Sequence, residues 1–73
     1  MTTFPERLKE LRLTNDARQK EISEAVGITL RAFQYYEKGT KEPTMSKLSA
    51  LADYFNVSID YLVGRTDNPE INR

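Results

Sequence analysis

Apolar residues recur at spacings of three and four along most of this chain, and no segment shows the alternation of apolar and polar residues that marks a half-buried strand. Ile22, Ala25 and Val26, for example, share one side of a helix and are expected to face the core. Helices are predicted near residues 4–13, 17–26, 30–38, 45–55 and 59–63. The sequence therefore predicts an all-α fold.

Short-range signals mark the ends of these helices. Thr3 stands three residues before Glu6, which is the spacing of a capping box, and Pro5 lies in the first turn. For the second helix, Asp16 is the candidate cap and Gln19 takes the reciprocal position. The caps predicted for the later helices are Thr29, Thr44 and Ser58. The glycines predicted to end the second, third and fifth helices are Gly27, Gly39 and Gly64.

Length and composition limit the chemistry that this chain can perform. Its 73 residues make one domain at most. It has no cysteine and no histidine, which argues against a disulfide framework, a thiolate zinc site and the usual general base. We expect no catalytic residue, no metal site and no cofactor. No segment has the pattern of a signal peptide or of a membrane span, which predicts a cytoplasmic protein.

The charges balance overall but are not evenly distributed. Lysine and arginine number 11 and aspartate and glutamate number 11, so the net charge is zero, whereas DNA-binding domains are often basic. Residues 18–47 hold six cations against four acids, and residues 51–73 hold two cations against four acids. A surface for a polyanion is therefore expected in the middle of the chain.

Residues 19–38 have the pattern of two short helices joined by a tight glycine turn, which is the helix-turn-helix motif. Ser23 is small where the second helix has to approach closely, and Gly27 supplies the backbone freedom that the turn needs. The apolar positions that would lock the two helices together are Ile22, Val26, Ile28, Phe33 and Tyr36.

The third predicted helix has two different faces when its residues are placed at about 100° intervals. Its inner arc holds Ala32, Phe33 and Tyr36, and its outer arc also includes Lys38. The predicted base-reading residues on the outer arc are Leu30, Arg31, Gln34 and Tyr35. Arginine pairs with guanine, glutamine pairs with adenine, and an apolar side chain meets the thymine methyl group in the major groove. A plain solvated surface is the competing interpretation, and packing of the leucine and the tyrosine on a neighbouring helix stays open.

These motifs together resemble the Cro/C1 helix-turn-helix family of phage and bacterial repressors, also called the xenobiotic response element family. The resemblance covers roughly residues 4–64. The segments that carry it are 7–12 (RLKELR), 19–22 (QKEI), 26–29 (VGIT), 36–39 (YEKG), Pro43 and 48–62. Members of this family are compact five-helix bundles of the lambda-repressor-like DNA-binding type. The resemblance therefore implies that fold here, with helix 3 in the major groove.

The resemblance also implies which side chains contact phosphates. Gln19 has the place of a family phosphate contact at the start of helix 2. Arg18 stands where members of the family usually have a small hydroxyl residue as the helix cap. Two interpretations stay open: Asp16 caps the helix instead, or Arg18 makes an additional phosphate contact. The predicted phosphate contacts are Arg18, Gln19, Thr29, Lys38, Thr40 and Lys41. The competing interpretation for the two lysines is that they interact with the helix dipole at the C-terminus of helix 3. Arg12 and Glu37 match a structural ion pair of the family.

The predicted function is a sequence-specific transcription regulator, a repressor, that binds a palindromic double-stranded DNA operator as a homodimer. Residues 1–64 would form the DNA-binding domain and residues 65–73 a polar tail or linker. No membrane and no small-molecule ligand is implied. Core filling and a dimer contact both stay open for Tyr54, Tyr61, Val63 and Ile71. The alternative function is a protein-interaction module on the same fold, an antitoxin or anti-repressor partner, which would present a large apolar patch on helix 3 or on the tail.

Overall fold

The structure, a computed structural model, describes residues 2–71. Its helices are α1 (Phe4–Thr14), α2 (Gln19–Val26), α3 (Leu30–Lys38), α4 (Met45–Phe55) and α5 (Ile59–Leu62). The described residues contain no strand, and the predicted all-α fold is confirmed. The bounds of α3 and α4 agree with the prediction. The differences are that α1 ends at residue 14 rather than 13, α2 begins at 19 rather than 17, and α5 ends at 62 rather than 63.

Side-chain hydroxyls cap the helices that the sequence assigned to them. Thr3 and Glu6 form the predicted capping box, in which Thr3 Oγ1 accepts the Glu6 N–H at 3.4 Å and Glu6 Oε1 accepts the Thr3 N–H at 3.4 Å. The caps of α3, α4 and α5 each accept the N–H three residues later: Thr29 at 3.0 Å, Thr44 at 3.4 Å and Ser58 at 3.0 Å. These contacts are local, which is why the sequence located the helix starts.

The N-terminus of α2 differs from the prediction, because Asp16 does not cap it. Asp16 has a φ of +52°, whereas a cap residue is extended. Asp16 instead forms the turn that closes α1, where the next residue, Ala17, donates its N–H to the Arg12 carbonyl at 3.0 Å. The residue that precedes α2 is Arg18, whose extended backbone donates its N–H to Glu21 Oε1 at 3.2 Å. Glu21 therefore has the reciprocal position that was predicted for Gln19.

A single apolar core joins all five helices. Its members are Leu8, Leu11, Ile22, Val26, Phe33, Tyr36, Leu51, Ala52, Phe55, Val57 and Leu62. Ile22 and Val26 face this core as expected, whereas Ala25 was expected to face it and is exposed; Ser23 is the third buried residue of α2. The core lies beneath α2 and α3, so both helices of the predicted motif are supported from one side.

Hydrogen bonds join the tail after α5 to the bundle. The Arg65 N–H donates to the Asp60 carbonyl at 2.8 Å. Asp67 Oδ1 accepts a hydrogen bond from Arg7 Nη2 at 3.1 Å. The Ser58 N–H donates to the Pro69 carbonyl at 3.0 Å. Residues 72 and 73 of the predicted tail lie outside the described residues.

Candidate nucleic-acid interface

The turn between α2 and α3 is built by Gly27. Its φ of +77° is left-handed, and the following residue, Ile28, donates its N–H back to the Ser23 carbonyl at 2.9 Å. Ser23 itself is 2% exposed, so its small side chain lies where the neighbouring helices meet α2. The turn fixes α3 against α2 in the arrangement that the sequence predicted for a helix-turn-helix motif.

α3 directs Phe33 and Tyr36 into the core as predicted, and Ala32 lies half-buried beside them. The four predicted base-reading residues divide into an exposed pair and a half-buried pair: Leu30 and Arg31, then Gln34 and Tyr35. The leucine is 41% exposed. This side of α3 therefore offers a guanidinium, an amide, a phenol and an aliphatic group, which is the set that the helical spacing predicted.

A chain of polar contacts crosses from α1 to α3 beside this face. Arg12 donates from Nε to Glu37 Oε2 at 2.7 Å and from Nη2 to Glu37 Oε1 at 3.3 Å. Gln19 Nε2 donates to the same Glu37 Oε1 at 2.8 Å. Gln34 Nε2 then donates to Gln19 Oε1 at 3.4 Å. The ion pair implied by the resemblance is thus confirmed. Hydrogen bonds connect it through the Gln19 amide to Gln34, a predicted base-reading residue.

The predicted phosphate contacts lie before and at the start of α2, in the turn before α3, and at the end of α3 and just after it. The exposed members are Arg18, Thr29, Lys38, Thr40 and Lys41, whereas Gln19 is half-buried. Thr40 donates from Oγ1 to the Tyr35 carbonyl at 3.3 Å. Lys41 places Nζ 4.8 Å from the centroid of the Tyr35 ring, within the range of a cation–π contact. The structure therefore brings the loop after α3 into contact with Tyr35, one of the predicted base-reading residues.

The charges of the molecule separate in space as well as along the chain. Four cations, Arg18, Arg31, Lys38 and Lys41, belong to α3 or to the residues that precede α2 and follow α3. The acidic residue on this part of α3 is paired with Arg12. Three acids, Asp53, Asp60 and Glu70, line a groove between α4, α5 and the tail. Exposed Glu42 also follows α3, beside Lys41, so the surface around α3 carries an excess of cations rather than cations alone. This excess suits a polyanion, although the net charge is zero.

Lys47 supports the motif and was not identified from the sequence as doing so. Its Nζ donates to the Gly27 carbonyl at 3.1 Å. A cation at this place also interacts favourably with the C-terminal end of the α2 dipole. The two residues are 20 positions apart, so no local pattern predicts the contact.

Arg7 is a second residue whose environment the sequence did not predict. It is 4% exposed, and its guanidinium lies 3.8 Å from the centroid of the Tyr61 ring. Burial disfavours the charged form, but the contacts with Tyr61 and Asp67 outweigh that effect and raise the pKa of Arg7 above its ordinary value. Within residues 2–71, Arg7 Nε is buried with no hydrogen-bond acceptor.

The described residues give no sign of a metal centre or a membrane segment. Residues 2–71 include no cluster of three or more carboxylate, imidazole or thiol side chains that could hold a metal ion. Over the same residues, every helix is too short or too polar to cross a bilayer.

Comparison with protein families and curated sequences gives one consistent result. Residues 8–62 match a family described as helix-turn-helix. An uncharacterized HTH-type transcriptional regulator of Bacillus subtilis, YobD, is 35% identical over 92% of this chain and 60% of its own length. The transcriptional repressor RstR of cryptic phage CTXphi from Vibrio cholerae is 38% identical over 82% of this chain and 54% of its own length. The chain thus spans little more than half the length of these curated relatives.

Solved structures show the same architecture. The P22 c2 repressor in complex with a synthetic operator has a TM-score of 0.84 at 27% identity, over 90% of this chain and all (100%) of that one. A transcriptional regulator from Listeria innocua has a TM-score of 0.81 at 37% identity, over 85% of this chain and 58% of that one. These likenesses confirm the predicted repressor-like bundle.

Proposed function

The chain belongs to the Cro/C1-type helix-turn-helix family of transcriptional regulators, and from that membership we propose that it binds a palindromic operator as a homodimer and represses transcription. The family and these relatives are DNA-binding regulators rather than enzymes. Within the chain, residues 1–64 are proposed as the DNA-binding domain, and residues 65–73 as a polar tail or linker.

The observation that carries this proposal is the outer face of α3. It presents the guanidinium of Arg31 and the amide of Gln34 on one side of a helix whose other side is fixed in the core. Both groups form paired hydrogen bonds with base edges in the major groove. The P22 c2 repressor, which has the same fold, was solved on an operator, which supports the same orientation of α3 here. Leu30 and Tyr35 are proposed to complete the base-reading face.

The proposed phosphate contacts surround that face and set its register on the duplex. They are Arg18, Gln19, Thr29, Lys38, Thr40 and Lys41, which precede α2, begin α2, cap α3, end α3 or follow it. Phosphate contacts orient a protein on DNA and carry most of the salt dependence, but they do not read sequence. Because the net charge is zero, affinity for random DNA is expected to be modest.

Selection of bound sequences from a random duplex pool at physiological salt tests the proposal, with the mass of the protein measured in solution and on DNA. Enrichment of an inverted repeat, with half-sites about 34 Å apart, supports a dimer that places one α3 in each of two successive major grooves. A pool without any enriched sequence, together with weak and salt-sensitive binding, contradicts sequence-specific recognition.

A protein-interaction module on the same fold is the second candidate, and it requires an extended apolar surface. On α3, Leu30 is exposed, but charged Arg31 lies directly beside it. The other large apolar side chains that are exposed in the described residues, Leu13, Met45, Tyr54 and Ile71, belong to other segments. The surface of α3 therefore favours DNA over an apolar partner.

A further inference from the structure

The contacts from Arg12 to Gln34 have a fixed direction. A guanidinium only donates hydrogen bonds, and a carboxylate only accepts them. Both oxygens of Glu37 already accept from Arg12, and Oε1 also accepts from Gln19 Nε2 at 2.8 Å. If the Gln19 amide were reversed, its carbonyl oxygen would face the Glu37 carboxylate and repel it. The buried ion pair therefore determines which end of the Gln19 amide points outward.

The same argument extends one residue further. Because Gln19 turns Nε2 toward Glu37, its Oε1 points toward α3, where it accepts from Gln34 Nε2 at 3.4 Å. The nitrogen of Gln34 is thus held toward Gln19, and its Oε1 and its second N–H are left for a ligand. An amide without these neighbours would present either end equally well.

We propose that Glu37 and Gln19 act as positioning residues that fix the orientation of the Gln34 amide, so that Gln34 selects adenine at one base pair of the operator. Adenine presents a donor at N6 and an acceptor at N7, which match the Oε1 and the remaining N–H of Gln34. Cytosine offers a donor alone and ranks second. Guanine and thymine place an acceptor against Gln34 Oε1 and are disfavoured. This inference rests on the proposed function, and it assigns the chemistry of one contact within it.

Gln19 keeps a second N–H after its bond to Glu37, so it can also donate to a phosphate. Removal of its side chain is then expected to have two separable effects. Loss of a phosphate contact weakens binding to every sequence alike. Loss of the positioning contact reduces discrimination at one base pair and leaves the other base pairs unchanged.

The test measures equilibrium binding to the selected operator and to all single-base variants of one half-site, for the wild type, Gln34→Ala, Gln19→Ala and Arg31→Ala. Thermal unfolding of each variant checks that the domain is folded. Gln34→Ala identifies the base pair that Gln34 reads, and Arg31→Ala is the control that should act at a different base pair. In the wild type, adenine at the Gln34 position should bind roughly tenfold to 100-fold more tightly than guanine or thymine.

The proposal expects Gln19→Ala to reduce that discrimination to about threefold or less, by the loss of most of a bidentate contact, while the preference at the Arg31 position stays as in the wild type. Uniform weakening by Gln19→Ala, with the discrimination intact, would overturn the positioning role. A wild-type preference for guanine or thymine at that position would overturn the fixed orientation, and so would a Gln34→Ala variant that changes no base preference. If the wild type shows no sequence preference at all, the proposed function itself fails, which is a distinct result.

Discussion

Arg12 on α1 and Glu37 near the end of α3 form a two-point ion pair in which Nε lies 2.7 Å from Oε2, and their side chains are only 17% and 8% exposed. The pair connects the first helix of the bundle to the proposed recognition helix. Because both charges are largely removed from water, each depends on the other for its hydrogen bonds. The pair therefore fixes the position of α3 more than it adds to stability.

Truncation of one partner is expected to be much more damaging than replacement of both. Glu37→Ala leaves the Arg12 guanidinium largely buried without its acceptor, and should lower the free energy of unfolding by about 3 kcal/mol. The double variant Arg12→Met, Glu37→Leu should come within about 1 kcal/mol of the wild type, because it fills the same space without charge. Urea unfolding measures the stability of both variants. Glu24→Ala, a substitution at an exposed residue, is the control. Equal losses for the single and the double variant would contradict this account.

Arg31→Ala is expected to weaken operator binding by about 1–3 kcal/mol and to relax one base position. Arg31→Lys is the matched control, because it keeps the charge but cannot form the paired hydrogen bonds of a guanidinium. The lysine variant should therefore retain binding to random DNA while it loses the base preference. Titration of operator and random duplexes at one salt concentration makes the comparison. Arg31 would have no base-reading role if Arg31→Ala weakened both duplexes by the same factor.

Lys41→Ala should weaken binding to all duplexes alike and reduce the slope of log affinity against log salt by about 0.9, which is the effect of one lost phosphate contact. Affinities measured across a salt series give the slope. Lys9→Ala, which removes an exposed cation of α1, serves as the matched control and should leave the slope nearly unchanged. Because Lys41 also lies over the Tyr35 ring, a change in base preference would show that its main role is to position Tyr35.

Gly64→Ala is expected to destabilise the fold by roughly 3 kcal/mol. Its φ is +84°, and a Cβ at this position would overlap the Thr2 carbonyl oxygen. Gly27→Ala is the comparison, because Gly27 has a similar φ of +77°, but the nearest atom to the added carbon among residues 2–71, apart from its chain neighbours, is Lys47 Nζ at 3.7 Å. That variant should lose only about 1–2 kcal/mol, from the backbone conformation alone. Chemical denaturation measures the unfolding free energy of the two variants. Equal losses of stability would contradict a steric contact between the added carbon at residue 64 and Thr2.

Arg7→Met should leave stability within about 1 kcal/mol of the wild type or raise it. The change removes a buried N–H that has no acceptor within residues 2–71, while the side chain still covers Tyr61. Arg7→Ala should instead lower the unfolding free energy by about 2 kcal/mol, since it also removes the packing. Asp67→Ala is the control for the ion pair, and should have little effect because the Asp67 side chain is 98% exposed. Thermal unfolding distinguishes the three. A methionine variant as unstable as the alanine variant would show that the charge, rather than the packing, is what matters.

The sequence alone determined the fold class and the bounds of α3 and α4, because the signals that set them are local. Thr29 and Thr44 cap their helices through the N–H three residues later, and Gly39 ends α3 in a left-handed conformation. Helical spacing likewise predicted that Phe33 and Tyr36 face the core. Family resemblance supplied the Arg12–Glu37 pair and the assignment of α3 as the recognition helix.

Tertiary structure decided the features that depend on residues far apart in the chain. Asp16 is a local exception: aspartate often caps helices, but here it adopts a left-handed turn that closes α1, and Arg18 takes the position before α2. The contacts of Lys47 with Gly27 and of Arg7 with Asp67 span 20 and 60 residues. A local pattern carries information about neighbours within a turn of helix, whereas the burial of a side chain and the partners of its polar atoms are set by which helices pack together.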